Sequence, residues 1–464
     1  MTQARIPGFH LTAPAGAIND PNGLWADATG RVHVVYQHNP AGGSCLSSGT
    51  GSGPKHWGHA WSDDMVTWTH GGSVIAPTPG WHDGDGAWSG SVVVDDKRVH
   101  AFYTGVKFQG NRWLESVCSA SLDDAVALDS SIGNAKRLLI PAGNAGVGNQ
   151  FRDPYVIDID GNALMIVGGD TADGGRIMAY RSSDLVRWEC LGVFFDASRA
   201  SSLLPPELAD ATWECPKLLR FGDAAVLILS IDGELRPVVY LVGSASLETG
   251  FRADSWGYVD SAFGSYATHV AQLGDYGPCS ISWVRGPSLS RRRSDDRGHL
   301  TMLRRLELNA DRRFTARFVR SPHEVAQAVG MQSRRFCGEV SFSGPRTALF
   351  EATLKTDHAP SDMRLAHFRI GTADERLDLQ VDLALKHVNL RTPNHETSLE
   401  VHASEVDLDV VWDAPIVEII IDGHSLTYNF MPSDDDVTLS LKLSHGAHAA
   451  GTIAVEPEQP SGSL

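Results

Sequence analysis

The segment Ser62-Asp63-Asp64-Met65-Val66-Thr67-Trp68 returns as Ser182-Ser183-Asp184-Leu185-Val186-Arg187-Trp188, with both the Asp64/Asp184 and the Trp68/Trp188 pairs 120 residues apart. Halfway between them stand Asp124, Val126 and Leu128 of the segment Leu122–Leu128, and a looser copy, Ser244–Leu247, begins 62 residues after Ser182. A period of about 60 residues restricts the chain to repeat architectures, in which each unit buries its apolar face against its neighbours. A second feature runs in phase with the first: an acid, then two short β-rich runs split by a turn. Asp20, Asp85, Asp153, Glu214 and Asp275, spaced 65, 68, 61 and 61, lead into runs such as Val32–Tyr36, Val99–Tyr103 and Leu164–Val167, with turns such as Asp27–Gly30 between. Five all-β units with strands of about five residues describe a five-bladed β-propeller of four-stranded blades; solenoid units are usually shorter. The first strand of each blade then lines the axis, so acids that open successive blades converge on one funnel.

From about Gly338 the period is lost. Runs such as Ala348–Leu354, Leu377–Leu383 and Ile416–Asp422 alternate apolar and polar residues, which predicts a C-terminal β-sandwich. At 464 residues the chain exceeds what one hydrophobic core usually serves, consistent with two units. The expected division is a propeller over 1–318, a linker or short helix over 319–337 containing Ser321–Val325, and a sandwich over 338–464, with a frayed tail at Gln459–Ser463.

A formal charge of -17 argues against a nucleic-acid footprint and against adhesion to anionic lipid, leaving a neutral or weakly charged small molecule as the simpler partner. Residues 1–14 hold no basic run followed by an apolar run, and nowhere do about 18 apolar residues follow one another, so the sequence reads as soluble and cytoplasmic. Six scattered cysteines without a CxxC suit reduced, mostly buried thiols rather than a disulfide frame or a zinc site. His38, His56 and His59 read as structural rather than as metal ligands.

Three of the acids stand in specific settings: Asn19-Asp20-Pro21-Asn22-Gly23, Phe151-Arg152-Asp153-Pro154-Tyr155 and Trp213-Glu214-Cys215-Pro216-Lys217. The prolines fix the backbone where a side chain must be aimed. Carboxyl groups that share a pocket repel one another and push their pKa values apart, which supplies the ionised nucleophile and the protonated acid that glycoside hydrolysis needs.

With these motifs, and with Tyr36-Gln37-His38-Asn39-Pro40, His56-Trp57-Gly58-His59-Ala60 and Trp88-Ser89-Gly90-Ser91, the chain resembles glycoside hydrolase family 32, the β-fructofuranosidases such as invertase, inulinase, levanase and sucrose-6-phosphate hydrolase. The resemblance is fullest through about residue 230; Arg297–Arg304 and Val417–Asp422 extend it more weakly. It implies Asp20 as nucleophile, Glu214 as general acid and then base, and Asp153 as an acceptor of fructose hydroxyls that stabilises the transition state. Asn19, Gln37, Trp57, Trp88, Ser89 and Arg152 then shape the fructose subsite, the Arg152 fork suiting both sugar hydroxyls and Asp153. No metal or organic cofactor is implied. The same residues have plain structural readings: an Arg152–Asp153 ion pair capping a blade, Gln37 and Ser89 satisfying backbone, Trp57 and Trp88 as core aromatics, Trp68 and Trp188 as blade packing, Cys215 as a packed neighbour rather than a reactive thiol.

Two departures bear on substrate choice. A Gly/Ser-rich insert, Ala41–Gly53, falls between two motifs as a candidate rim or lid. Lys55 reads as a solvated lysine, with a phosphate contact as the alternative. The expected function is a retaining β-fructofuranosidase acting on sucrose, sucrose 6-phosphate or short fructans. The alternatives are a fructosyltransferase using the same intermediate, an inverting arabinan-type propeller hydrolase, and a binding propeller without chemistry.

Overall fold

The 120-residue recurrence is a turn. In the computed structural model of the chain, the Ser62 hydroxyl accepts the Met65 N–H at 2.8 Å, and the Asp64 carboxylate accepts those of Val66 and Thr67 at 2.8 and 2.7 Å. This cage holds Met65 in the left-handed region, φ 62°. At the second copy Asp184 accepts from Val186 and Arg187 at 3.0 and 2.8 Å, and Leu185 has φ 60°. Both turns join a third strand to a fourth, so the repeated Ser-x-Asp marks one corner of a repeated sheet. Trp68 and Trp188 pack against the cores beside these corners.

The structure describes residues 7–40, 53–95, 98–122, 136–143, 150–159, 161–285, 297–343, 347–356, 365–372, 376–382, 385–393, 395–401, 405–429, 437–444 and 447–455. The insert at 41–52, the repeat copy at 124–128 and the tail at 459–463 lie outside these.

Up to Phe318 the described chain is a series of antiparallel meanders whose strands pair in sequence order. The first runs through Ala17–Ala26, Val32–Asn39, His56–Ser62 and Thr69–Ile75; the second through Gly86–Asp95, Arg98–Gln109, Arg112–Leu122 and Arg137–Ile140. The third, starting at Phe151–Ile159, and the fourth, starting at Trp213–Phe221, share an eight-stranded sheet joined at Gly169 and Trp213. The fifth starts at Ser265–Gln272. These five starting strands touch in succession, and Ser265–Gln272 returns to touch Ala17–Ala26. They are buried along most of their length although their sequences carry several polar and charged residues, so polar side chains are held inside the ring of starting strands.

Beyond Ser333 two six-stranded antiparallel sheets share one core that includes Phe350, Phe368, Leu379 and Trp412. Alternation is visible along His387–Thr392 and in the first half of Glu405–Asp413, where alternate side chains are buried. The expected linker is ordered: Ser321 and Glu324 form a capping box on the helix Pro322–Ala328, and Ser333–Cys337 pairs with the strand Ala447–Val455. The expectation of mostly buried thiols holds for Cys118, Cys215 and Cys279, all free; Cys190 and Cys337, also free, are exposed because they lie on outermost strands. Among the described residues no helix is long and apolar enough to cross a membrane.

A buried ionic network ties the N-terminal stretch and the fifth meander to the second pair of sheets. His10 Nδ1 meets Asp413 and Nε2 meets Glu418, each at 2.9 Å, while Glu418 also takes the Arg304 guanidinium and the Met302 N–H. Burial alone lowers the His10 pKa, but the two carboxylates outweigh it and push it up to about 9. A raised folded-state pKa gives stability that is full below the unfolded value near 6.5 and is lost as pH climbs through about 9. His10→Ala is therefore expected to cost about 3 kcal/mol near neutral pH, since it removes the positive charge shared by two buried carboxylates, and to flatten the fall in thermal midpoint between pH 6.5 and 9. A wild-type midpoint that does not fall over that window, measured by differential scanning fluorimetry, contradicts this account.

Candidate active site

Each of the five starting strands breaks register once it has delivered a polar side chain. Pairing shifts occur around Pro21, between Trp88 and Gly90, opposite Asp153, between Glu214 and Lys217, and between Tyr266 and His269. Such bulges kink a strand and re-aim its side chains. Here they turn Asp20, Ser89, Asp153, Glu214 and Tyr266 out of the alternation. Three of them use left-handed backbone at residues that are not glycine: Asp153 at φ 64°, Cys215 at 48° and Ala267 at 51°. Each costs about 1–3 kcal/mol and is maintained by its surroundings. Pro21, Pro154 and Pro216 fall at the bulges, where no ladder N–H is needed.

The acids are linked through their neighbours. The Ser89 hydroxyl donates to Asp20 Oδ2 at 2.6 Å, Gln37 Nε2 donates to Ser89 at 3.3 Å, and Asn19 Nδ2 donates to Gln37 Oε1 at 2.8 Å. Asp153 Oδ2 accepts the Cys215 N–H at 2.9 Å and the thiol at 3.4 Å; the same thiol lies 4.0 Å from Asp20 Oδ2. The Asp153 N–H donates to Thr104 Oγ1 at 2.8 Å. Glu214 takes the Tyr266 hydroxyl at 2.6 Å and faces Arg152 at 3.5 Å; Arg152 also faces Glu115 at 3.6 Å. The buried Oδ1 of Asn19 and Nε of Arg152 have no hydrogen-bond partner among the described residues, a costly condition unless a ligand satisfies them.

Electrostatics separates the carboxyls. Burial pushes Asp20 up to about 6; the Ser89 bond opposes it, the Asp153 charge adds to it, and Lys55 and Lys217 oppose it. Burial pushes Glu214 up to about 7, against the Arg152 guanidinium and with the charges of Asp153 and Asp232. Near pH 6.5 Asp20 is thus the more ionised and Glu214 the more protonated, the division of labour that a carboxyl pair needs for acid-assisted displacement. Burial raises the Cys215 thiol well above its ordinary range, so it is a packed donor and not a thiolate.

Some sequence expectations change. Asp85 and Asp275 do not join the centre: Asp85 is exposed and holds the Phe108 N–H, and Asp275 lies in an exposed turn after the fifth starting strand. The acid spacing was out of phase there, because that strand is Ser265–Gln272, and its polar contribution is Tyr266. Arg152 makes its close ion pairs with Glu115 and Glu214 rather than with Asp153. Trp57 is fully buried and donates its indole N–H to the Trp88 carbonyl, bracing that segment from behind. Lys55, expected in solvent, is 6% exposed; its carbonyl accepts the Ala87 N–H, which draws it between the first two meanders. The sequence motifs assign no role to Glu115, Lys217 or Tyr266. Glu115 and Lys217 were detectable as charges within strand-like runs, whereas nothing local marks Tyr266.

Buried carboxyls brought to one centre from separate starting strands of an all-β chain form an arrangement of the kind glycoside hydrolases use. The chain belongs to glycosyl hydrolases family 32, whose N-terminal domain matches residues 10–318. It is 34% identical over 257 residues to raffinose invertase from Escherichia coli, covering 54% of this chain and 48% of that protein. It is 36% identical over 237 residues to sucrose-6-phosphate hydrolase from the same organism, covering 49% and 44%. The chain thus spans about half the length of these curated relatives. The solved structure of the Bombyx mori GH32 β-fructofuranosidase superposes with a TM-score of 0.76 over 98% of this chain and 95% of that one, at 21% identity, a likeness of fold.

Proposed function

We propose that this chain is a retaining β-fructofuranosidase acting on sucrose, sucrose 6-phosphate or short fructans inside the cell, built as a five-bladed propeller over 1–318 followed by a β-sandwich. The linker of 319–337 then includes a helix and a first strand of the sandwich. The circular succession of contacts among the five starting strands supports the propeller, and the two sheets around one core support the sandwich. In this reading Asp20 attacks the anomeric carbon to form a fructosyl-enzyme, and Glu214 protonates the departing glycosidic oxygen. Glu214 then removes a proton from the water that releases fructose. Asp153 accepts hydrogen bonds from the sugar as positive charge develops on the ring. Asn19 and Arg152 offer their unpartnered polar atoms to sugar hydroxyls, and Gln37 and Ser89 orient Asp20.

The observation that carries the reading is the unequal treatment of two carboxyls around Asp153: Asp20 anchored by Ser89 and held near 6, Glu214 anchored by Tyr266 and held near 7. The names of the relatives support the fructoside class of substrate. Proton NMR of sucrose cleavage in its first minutes is expected to show β-fructofuranose before mutarotation. Initial appearance of the α-anomer would remove Asp20 from the role of nucleophile and favour an inverting hydrolase. In concentrated sucrose, fructosylated sucrose in excess of free fructose would instead identify a transferase.

A further inference from the structure

An aromatic series leads from the acid Glu214 out to solvent, and the functional motifs account for only its inner end. Arg152, 3.5 Å from Glu214, lies over the Trp88 ring at 5.6 Å; the Trp88 and Trp113 rings are 5.2 Å apart, and those of Trp113 and Phe108 are 5.1 Å apart. Trp88 and Trp113 are half-buried and Phe108 is 41% exposed. Phe108 and Trp113 are a directly opposed pair on the strands Arg98–Gln109 and Arg112–Leu122. The turn between these strands places Gly110 at φ 57° and Asn111 at φ 69°, the two left-handed residues of a tight hairpin whose twist matches its strands. The Asp85 carboxylate fixes the Phe108 N–H at 2.8 Å. The rings are therefore mounted on a rigid support, so little ordering entropy is lost when a ligand lies on them. A contiguous run of large rings that reaches solvent marks an interaction surface, unlike single exposed apolar residues.

We propose that Trp113 and Phe108 form a stacking platform for the second sugar of the leaving group, so that the site favours β-fructosides whose departing part is a disaccharide or longer. This rests on the fructosidase reading above. Glu214 protonates the leaving oxygen in that reading, so the departing sugars lie on its outer side, where Arg152 and Trp88 begin the series. The first leaving sugar contacts Trp88, and the second reaches Trp113 and Phe108. The exposed Gln109, Asn111 and Arg112 at the hairpin tip offer polar groups to its hydroxyls.

The test compares sucrose, which has one leaving sugar, with raffinose, which has two. Trp113→Ala is expected to lower kcat/KM for raffinose about tenfold, mainly through KM, while sucrose stays within about twofold; Phe108→Ala is expected to lose about threefold on raffinose alone. Trp113→Phe keeps most of the raffinose activity and controls for folding. Equal losses on both sugars, or none on raffinose, overturn the proposal. Binding is read separately from turnover by titrating raffinose calorimetrically into Asp20→Ala and into Asp20→Ala/Trp113→Ala. Weaker binding by the double variant supports the platform whatever the reaction, and equal binding overturns it. If the wild-type chain releases no fructose from sucrose, the fructosidase reading fails on its own, and the calorimetric comparison still decides the platform.

Discussion

Asp20→Ala is expected to reduce kcat on sucrose by about 10⁴-fold or more with a much smaller change in KM, because in the proposed reaction it deletes the bond-forming group while leaving Asn19 and Arg152 to meet the sugar. The loss belongs to chemistry rather than folding. Asp20 is a desolvated carboxyl held up to about 6, so its removal relieves burial of charge and the thermal midpoint is expected to hold or rise. Azide, small enough for the vacated space, is expected to restore part of the turnover by displacing the leaving group and yielding a fructosyl azide, with Glu214 still supplying the proton. A variant that keeps kcat within tenfold of wild type, measured by glucose release, excludes Asp20 as nucleophile. One that loses activity only through a lowered midpoint makes Asp20 structural.

Arg152→Leu carries the second large effect, and its sign in pH is specific. In the wild type, kcat/KM is expected to rise as Asp20 ionises near pH 6 and to fall as Glu214 ionises near pH 7, giving a narrow bell. Around Glu214 stand Arg152, Asp153, Asp232 and Tyr266, of which Arg152 holds the carboxyl down most strongly against burial. Its removal raises Glu214 further, so the alkaline limb moves to higher pH, while the acid limb, set by Asp20, stays where it is. Activity at the optimum is expected to fall about 10²- to 10³-fold, because in the proposed reaction the guanidinium, resting on Trp88, also orients the sugar. Arg152→Lys restores the position of the limb without the planar fork, so it is expected to recover the pH profile and little of the rate. An alkaline limb that stays in place in Arg152→Leu, read from initial rates across pH 5 to 9, disproves the coupling between Arg152 and Glu214. Glu115, left beside the vacancy and tied to the Phe151 N–H, adds a stability loss of about 3 kcal/mol that the thermal midpoint reports.

The sequence was most legible where chemistry is local. The Ser-x-Asp corners at Ser62 and Ser182 are cages of side-chain acceptors around the N–H groups of Asp64 to Thr67 and of Asp184, Val186 and Arg187, so their composition repeats whenever the corner does. That made the period visible, and with it the all-β architecture. The Asp-Pro and Cys-Pro motifs marked Asp20, Asp153 and Glu214, because a proline inside a strand-like run has few positions other than a bulge. Where the sequence misled, a non-local choice had been made. Asp85 and Asp275 keep the spacing of the other acids but not their placement in the strands. Lys55 reads as a surface lysine until its carbonyl is seen pairing with the next meander.

By itself, then, the sequence determined the repeated unit, the turn corners, the change of pattern near Gly338 and the three carboxylates, all features written in residues close together along the chain. Only the tertiary structure decided which acids meet and that Tyr266 completes the set from the fifth meander. It also decided that Arg152 serves Glu115 and Glu214 rather than Asp153, and that burial raises both Asp20 and Glu214 above the ordinary carboxylate range. These depend on register shifts between paired strands and on burial shared among side chains up to 195 residues apart, such as Cys215 and Asp20. Desolvation and charge act through space, and a sequence records only what is adjacent along the backbone.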